Sequence, residues 1–346
     1  MKKLIKLGLL GVGLIGKRHA EIILKSKKAK LVAIADPDDS TESYANKIGV
    51  KRFKNLSEML SSSSLDGVII ATPNNLHLEH GLDCIEKGIP SLIEKPLSSS
   101  ASDAEIISKA ASDRDIPVLV GHHRRHNPII IAAKKIVDSG EIGDIRSFHA
   151  NCWLFKPAEY FAESIWRTKK GAGPVSVNLV HDIDLLRYLC GEVISVQAQT
   201  VKSRRGHENE DVASVLLRFE NDIVGTISVS DTIVSPWSWE LTAKENHAYP
   251  PTSESCYTFG GDHGSLSVPD LTTWKNKGKR GWWEPIHSTK HSVISTDPLI
   301  NQIDHFCSVI KGATPPLISA EEGLKNLKVL EGIYESVESG QTFRIT

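Results

Sequence analysis

The chain has almost no net charge. In 346 residues, 41 Lys and Arg stand against 42 Asp and Glu, a formal charge of -1 at pH 7. So even a balance gives no general means of tracking a nucleic acid backbone or holding to an anionic membrane surface, and neither partner is expected. Cysteine is scarce, with five residues at 84, 152, 190, 256 and 307. No pair has metal-site spacing, so no metal is expected, and the scatter suggests reduced thiols in a cytoplasmic protein. No apolar run reaches membrane-spanning length, and no internal repeat is visible. The opening MKKLIKLGLLGVGLIG imitates a secretion signal in charge and hydrophobicity. It lacks a small-residue cleavage site, so it is read as part of the fold.

What is present starts in those same residues. Lys2 to Leu10 is strand-like and runs into Gly11, Gly13 and Gly16 of GVGLIGKRHAEII. A second apolar run, Lys30 to Ala35, ends at Asp36. This is a dinucleotide fingerprint with its acidic partner about twenty residues on. The first glycine permits a tight turn, the second lets a pyrophosphate approach the backbone, and the third lets the helix pack on the sheet. The start of that helix supplies N–H groups and positive dipole to phosphates. Gly11, Val12, Gly13, Leu14, Ile15 and Gly16 are therefore expected to hold the cofactor, with Asp36 on the adenosine ribose. A carboxylate there repels the extra phosphate of NADP, so NAD is the expected cofactor.

The length suffices for two cores. Residues 1–122 alternate strand-like and helix-like segments, and several strands are unbroken Val, Ile and Leu. That is expected of an α/β, doubly wound parallel sheet with helices on both faces. Residues 123–346 have another rhythm. Pro128 to Ser139 reads as a connecting helix. The runs 145–153, 194–201, 212–219 and 223–230 read as an antiparallel sheet with a hairpin turn at Asn221-Asp222. Ser61 to Ser64 reads as a turn, 235–290 as strands and long loops, and 301–310 and 321–336 as outer helices.

Three segments carry chemistry. The first is Ala71-Thr72-Pro73-Asn74-Asn75, which follows a buried strand, where loops of a doubly wound sheet lie over the nucleotide. Ala71, Thr72, Pro73, Asn74 and His77 are candidate cofactor contacts, although the asparagines could simply cap the next helix. The second is Glu94-Lys95-Pro96 after another buried strand. The Lys95 amine can donate to a substrate oxygen and stabilise developing negative charge, while the plainer reading is a surface ion pair with Glu94. The third is GAGPVSVNLVHDID, residues 171–184. Asn178, His181 and Asp184 are three apart and share roughly one helical face, and histidine titrates near neutral pH. A core histidine or cap is the alternative, and Asp182 is read as meeting a neighbouring subunit or backbone.

His122 to His126 is placed at the domain junction. Its three histidines suggest a metal, but Arg124 and Arg125 would repel a cation. His122, Arg124 and His126 suit a hydroxylated or carboxylated substrate, and His123 a cofactor edge. Trp153, Tyr160, Trp166 and Arg167 could add a stacking wall, or fill the second core.

With these motifs the chain resembles the glucose–fructose oxidoreductase and inositol dehydrogenase family (Gfo/Idh/MocA) over nearly its full length. The resemblance covers GVGLIG, ATPNNLH, EKP, the WR before a glycine-rich segment, the H-x-x-D helix ahead of LLRYLCG, GGDHGSLSVPD and the closing ISAEEGLKNLKVLEGIYESVESG. It implies an N-terminal Rossmann domain and a C-terminal α+β domain whose large, open, mostly antiparallel sheet packs against partner subunits, in dimers or tetramers. It also implies hydride transfer between a ring CH–OH and nicotinamide C4. Lys95 matches the family lysine that touches the reacting oxygen, Glu94 belongs with it to the cofactor-side motif, and His181 matches the proton-transferring histidine. One position departs: many relatives carry aspartate four residues before the histidine, where this chain has Val177. Either Asn178 or the His122–His126 segment makes up for it, or the substrate is unusual. A lyase or glycoside reaction with tightly held NAD, and a nucleotide-sensing protein without efficient catalysis, are the competing readings.

Overall fold

A computed structural model describes residues 3–345, and the chain divides into two compact units. One is Met1–His126 with Asp297–Leu327, the other Asn127–Thr296 with Lys328–Thr346. The first unit thus ends four residues beyond the expected boundary at 122. It also takes back Asp297–Leu327, which the sequence reading assigns to the C-terminal domain.

In chain order the first stretch is β1 (Ile5–Leu10), α1 (Leu14–Lys25), β2 (Ala29–Ala35), α2 (Thr41–Ile48), β3 (Lys51–Phe53), α3 (Leu56–Ser62), β4 (Gly67–Ile70), α4 (His77–Glu86), β5 (Ser91–Ile93), α5 (Ala101–Arg114) and β6 (Val118–Val120). The next is α6 (Pro128–Asp138), β7 (Ile145–Trp153), α7 (Ala158–Ala162), α8 (Val180–Cys190), β8 (Val193–Lys202), β9 (Glu210–Phe219) and β10 (Val224–Ser230). The last is α9 (Trp239–Thr242), β11 (Tyr257–Gly261), β12 (Ser265–Val268), β13 (Thr272–Asn276), β14 (Ile286–Lys290), α10 (Pro298–Ile310), α11 (Ala320–Ser339) and β15 (Phe343–Arg344).

In the first unit six strands pair in parallel in the order β3-β2-β1-β4-β5-β6. Leu7, Leu9, Ile34, Ile69, Ile70, Leu92, Ile93 and Leu119 are fully buried. Each such side chain contributes about 1.5–3 kcal/mol by leaving water, and with helices on both faces no alternation is needed. The strand order reverses between β1 and β4, which is where open parallel sheets bind ligands at their carboxyl ends. Two elements were not anticipated. β3 has three residues, too few to show periodicity, and Ser61 and Ser62 close α3, whose Asn55 cap accepts the Glu58 N–H at 2.9 Å.

The second unit is built on nine strands in the order β14-β13-β12-β11-β7-β10-β9-β8-β15. The sheet is antiparallel except for β10 on β7, which run parallel from Val224↔Ser147 to Ser230↔Trp153. The expected hairpin joins β9 to β10, with Asp222 at φ 59. Along β9, Ala213, Val215, Leu217 and Phe219 are buried while Ser214, Leu216 and Arg218 are exposed, so one face is core and the other open. None of the five cysteines, all buried, forms a disulfide. Among the described residues no helix is long and apolar enough to cross a membrane.

Candidate active site

In the first unit the glycine loop is built by close backbone approach. Gly11 has φ 89, and a Cβ on it would lie 2.5 Å from Ala71 O; one on Gly16 would lie 2.1 Å from Gly11 O. Packing therefore demands glycine at both. A Cβ on Gly13 would meet nothing within 4 Å among the described residues, so the fold itself places no such demand there. That pattern fits a position left bare for something outside the chain. Val12 is buried, Ile15 partly so, and Leu14 is 94 % exposed despite being apolar.

Asp36 closes on this loop. Its Oδ2 accepts the Val12 N–H at 2.7 Å and its Oδ1 the Asp38 N–H at 2.9 Å. Beside it stands Arg52, unremarked in the sequence, whose guanidinium donates to Asp36 O and Asp39 Oδ1, both at 3.0 Å, and lies 3.7 Å from Glu42. Arg52 sits on β3, the strand too short to read, and no local pattern marks it.

The 71–76 loop leaves β4, with Ala71 and Thr72 partly buried and Pro73, Asn74 and Asn75 exposed. His77 is fully buried; its Nε2 lies 2.9 Å from Thr72 O and its Nδ1 2.9 Å from Pro96 O. Burial pushes its imidazole below the ordinary histidine value, against the pull of those two carbonyls. Glu94 follows β5 directly and is buried, not part of a surface ion pair. Its Oε1 is 2.7 Å from Nε2 of the fully buried His19, and its Oε2 accepts the Lys95 N–H at 3.2 Å. Burial raises the Glu94 carboxyl, but the His19 hydrogen bond and the charges of His19, His123 and Lys95 outweigh it, leaving the group below its ordinary range. Lys95 follows, half-buried.

His123 to His126 form a short 3-10 turn at the end of this unit. His122 Nε2 accepts from Asn326 Nδ2 at 3.2 Å, Arg125 pairs with Glu322 at 3.0 Å, and the His126 ring lies 5.2 Å from that of His305. Arg124 is also buried. These long-range partners come from α10 and α11, the segment that returns to the first unit.

In the second unit, residues Val175–Leu179 form a π-helical turn before α8. A widened turn of this kind is uncommon and recurs at functional sites. Asn178 lies in it and His181 in the α-helix that follows, so the simple three-residue spacing of the sequence passes through a change of helix type. Asn178 and His181 are nearly buried at 9 % and 8 % exposure, and Asp182 and Asp184 fully so. Asp182 receives the Tyr257 hydroxyl, a side-chain partner within the same unit where the sequence suggested a subunit or backbone contact. Val177 donates its N–H to Gly173 O at 3.0 Å.

The turn is anchored by Glu210, which the sequence reading missed. Its Oε1 accepts the Val175 N–H at 3.0 Å, and a Cβ on Gly173 would lie 2.3 Å from that oxygen. Burial raises the Glu210 carboxyl above its ordinary value. Further charges meet at two buried acids, Asp211 on β9 and Asp231 after β10: Arg205 bonds Asp231 at 2.8 Å and stands 3.8 Å from Asp211, and Lys156 lies 3.9 Å from Asp231. The only sequence signal was an acid at each of two strand ends. Of the aromatic wall, Tyr160 carries the Arg167 guanidinium 4.1 Å over its ring, Trp153 donates to Ser228 at 2.9 Å, and Trp166 is 53 % exposed.

Against known families, residues 5–122 match the oxidoreductase family, NAD-binding Rossmann fold, and residues 130–267 the GFO/IDH/MocA C-terminal domain. Two scyllo-inositol 2-dehydrogenases of Bacillus subtilis (strain 168) are similar. The one named for NAD(+) is 25 % identical over 357 residues, covering 100 % of this chain and 97 % of that protein. The one named for NADP(+) is 24 % identical, covering 99 % and 96 %. The crystal structure of the WlbA dehydrogenase from Bordetella pertussis, in complex with NADH and UDP-GlcNAcA, superposes with a TM-score of 0.79 at 25 % identity over 99 % of each chain.

Proposed function

The chain belongs to the GFO/IDH/MocA oxidoreductase family, and on that footing we propose that it is an NAD-dependent dehydrogenase of a sugar, sugar acid or cyclitol. The observation that carries this reading is the Glu94-Lys95 turn, which leaves β5 at the carboxyl end of a parallel sheet whose glycine loop meets an acid, Asp36. Gly11 to Gly16, Asp36 and the 71–74 loop are the residues that would hold the dinucleotide. When bound, it supplies the hydride-transferring carbon.

The chain's own groups do the rest. Lys95 orients the reacting oxygen and offsets its developing charge, and His181 takes the hydroxyl proton in oxidation and returns it in reduction. Asn178 supports the substrate in place of the aspartate that many relatives carry at the position of Val177. His122, Arg124, His126, Trp153, Tyr160, Trp166, Arg167 and Asp184 are the proposed substrate-side residues, with Glu94 and His123 on the cofactor side; His77, expected there, is fully buried with both ring nitrogens on backbone carbonyls. NAD is favoured over NADP because the Asp36 carboxylate stands at the glycine loop, its Oδ2 on the Val12 N–H, and because the charge of Arg52 is taken up by Asp39 and Glu42.

The open face of the nine-stranded sheet suits a second copy of this chain, giving a dimer or tetramer. It holds a hollow of about 400 Å³ lined by His149, Gln197, Gln199, Ser214, Leu216 and Thr226 among others.

The function is tested by offering polyols, cyclitols and sugar acids with NAD and following nicotinamide absorbance. A substrate should appear, and His181→Ala should cut its turnover far more than NADH affinity. An equal loss of both would make His181 structural and end the proposal.

A further inference from the structure

The turn that carries Lys95 is gripped on both sides by buried histidines from two different helices of the first unit. Upstream, His19 of α1 holds one oxygen of Glu94 at 2.7 Å, while the other oxygen takes the Lys95 N–H at 3.2 Å. Gly121, just after β6, closes over the same carboxylate: a Cβ there would lie 2.9 Å from Glu94 Oε2. Downstream, His77 at the start of α4 sets one ring nitrogen 2.9 Å from Pro96 O and the other 2.9 Å from Thr72 O. Both imidazoles are 0 % exposed.

Burying a carboxylate against an imidazole carries a desolvation cost, and an apolar pair of similar volume would fill the space without it. What polar groups add is direction. A lysine carries a flexible four-carbon stem with high rotamer entropy, so its amine is no better placed than the backbone that bears it. Here the residue before Lys95 is fixed through its side chain and the residue after it through its carbonyl.

We propose that His19 and His77 are positioning residues for Lys95, His19 acting through the Glu94 carboxylate and His77 through the Pro96 carbonyl. This rests on the role given to Lys95 under the proposed function. It also gives His77 a task without contact to any ligand, since each of its ring nitrogens already faces a backbone carbonyl.

The test uses the whole chain, with NADH as the probe. Lysines are reductively methylated with isotope-labelled formaldehyde, and the Lys95 methyl signal is identified by its loss in Lys95→Arg. NADH should displace that signal in the wild-type protein. In His19→Leu and His77→Leu the displacement should fall by half or more, and His19→Gln, which keeps a donor near the Nε2 position, should restore most of it. If NADH leaves the wild-type signal unmoved, the role of Lys95 itself is overturned. If the displacement is equal in wild type and both leucine variants, the histidine clamp is overturned. Should a leucine variant unfold, seen as collapse of all the lysine signals, Glu94→Met decides. It keeps the length of the side chain but offers no oxygen to His19 or to the Lys95 N–H, so an unchanged displacement there also overturns the clamp.

Discussion

Asp36 Oδ2 accepts the backbone N–H of Val12 at 2.7 Å, tying the end of β2 to the glycine loop that follows β1. The acid is thus part of the loop's own architecture as well as a candidate ribose acceptor. The Arg52 guanidinium reaches its backbone carbonyl, Asp36 O, at 3.0 Å.

Removing that acid should change cofactor choice. Asp36→Ser deletes the charge that repels a ribose phosphate and leaves Arg52 in place. Fluorescence titration should show NADH binding weakened about tenfold or more, with NADPH binding improved relative to it. An unaltered preference between the two would remove Asp36 as the determinant.

The π-helical turn should be sensitive to a single methyl group. Gly173→Ala would drive a Cβ to 2.3 Å from the Glu210 carboxylate that accepts the Val175 N–H. Overpacking of this sort costs about 1–3 kcal/mol, and the adjustment would fall on the segment leading to Asn178 and His181. Thermal melts should show the loss of stability. Turnover, once a substrate is known, should fall more steeply than in Gly281→Ala, where a Cβ would make only an ordinary contact, 3.6 Å from Glu284 Cγ.

Stability should decline with acid in two windows. Burial lowers the folded-state value of His77. Below the unfolded value of about 6.5 the unfolded chain therefore binds a proton that the native state resists, and stability falls as pH drops through that range. The folded-state value of Glu94 is also lowered, its His19 and lysine contacts outweighing burial. Its contribution is present above the unfolded carboxyl value of about 4.3 and is lost as pH falls further, through the folded value. Urea unfolding against pH should show the first decline flattened in His77→Gln and the second in Glu94→Gln.

The open sheet face should be covered in solution. Light scattering after size exclusion should give more than one copy of the chain. Leu216→Asp, on the exposed side of β9, should move that mass toward a single copy without lowering helix content. A wild-type monomer would refute the proposed self-association.

The glycine loop, Asp36, the buried strands of the parallel sheet and the outer helices were legible because each is written locally. Glycines sit where the backbone turns, apolar runs sit where two faces are covered, and helical spacing shows over a dozen residues. The sequence alone therefore determined a nucleotide-binding α/β half followed by a largely antiparallel one, and it singled out Lys95 and His181. Only the tertiary structure decided what lies across long separations. It paired Glu94 with His19, 75 residues away, and Asp182 with Tyr257, also 75 away. It returned Asp297–Leu327 to the first unit, set β10 parallel to β7, and widened Val175–Leu179 into a π-turn held by Glu210. A polar side chain gives no local sign of the partner that will justify its burial. That partner is fixed by packing, and it is why the charged anchors of this site became visible only once the chain was folded.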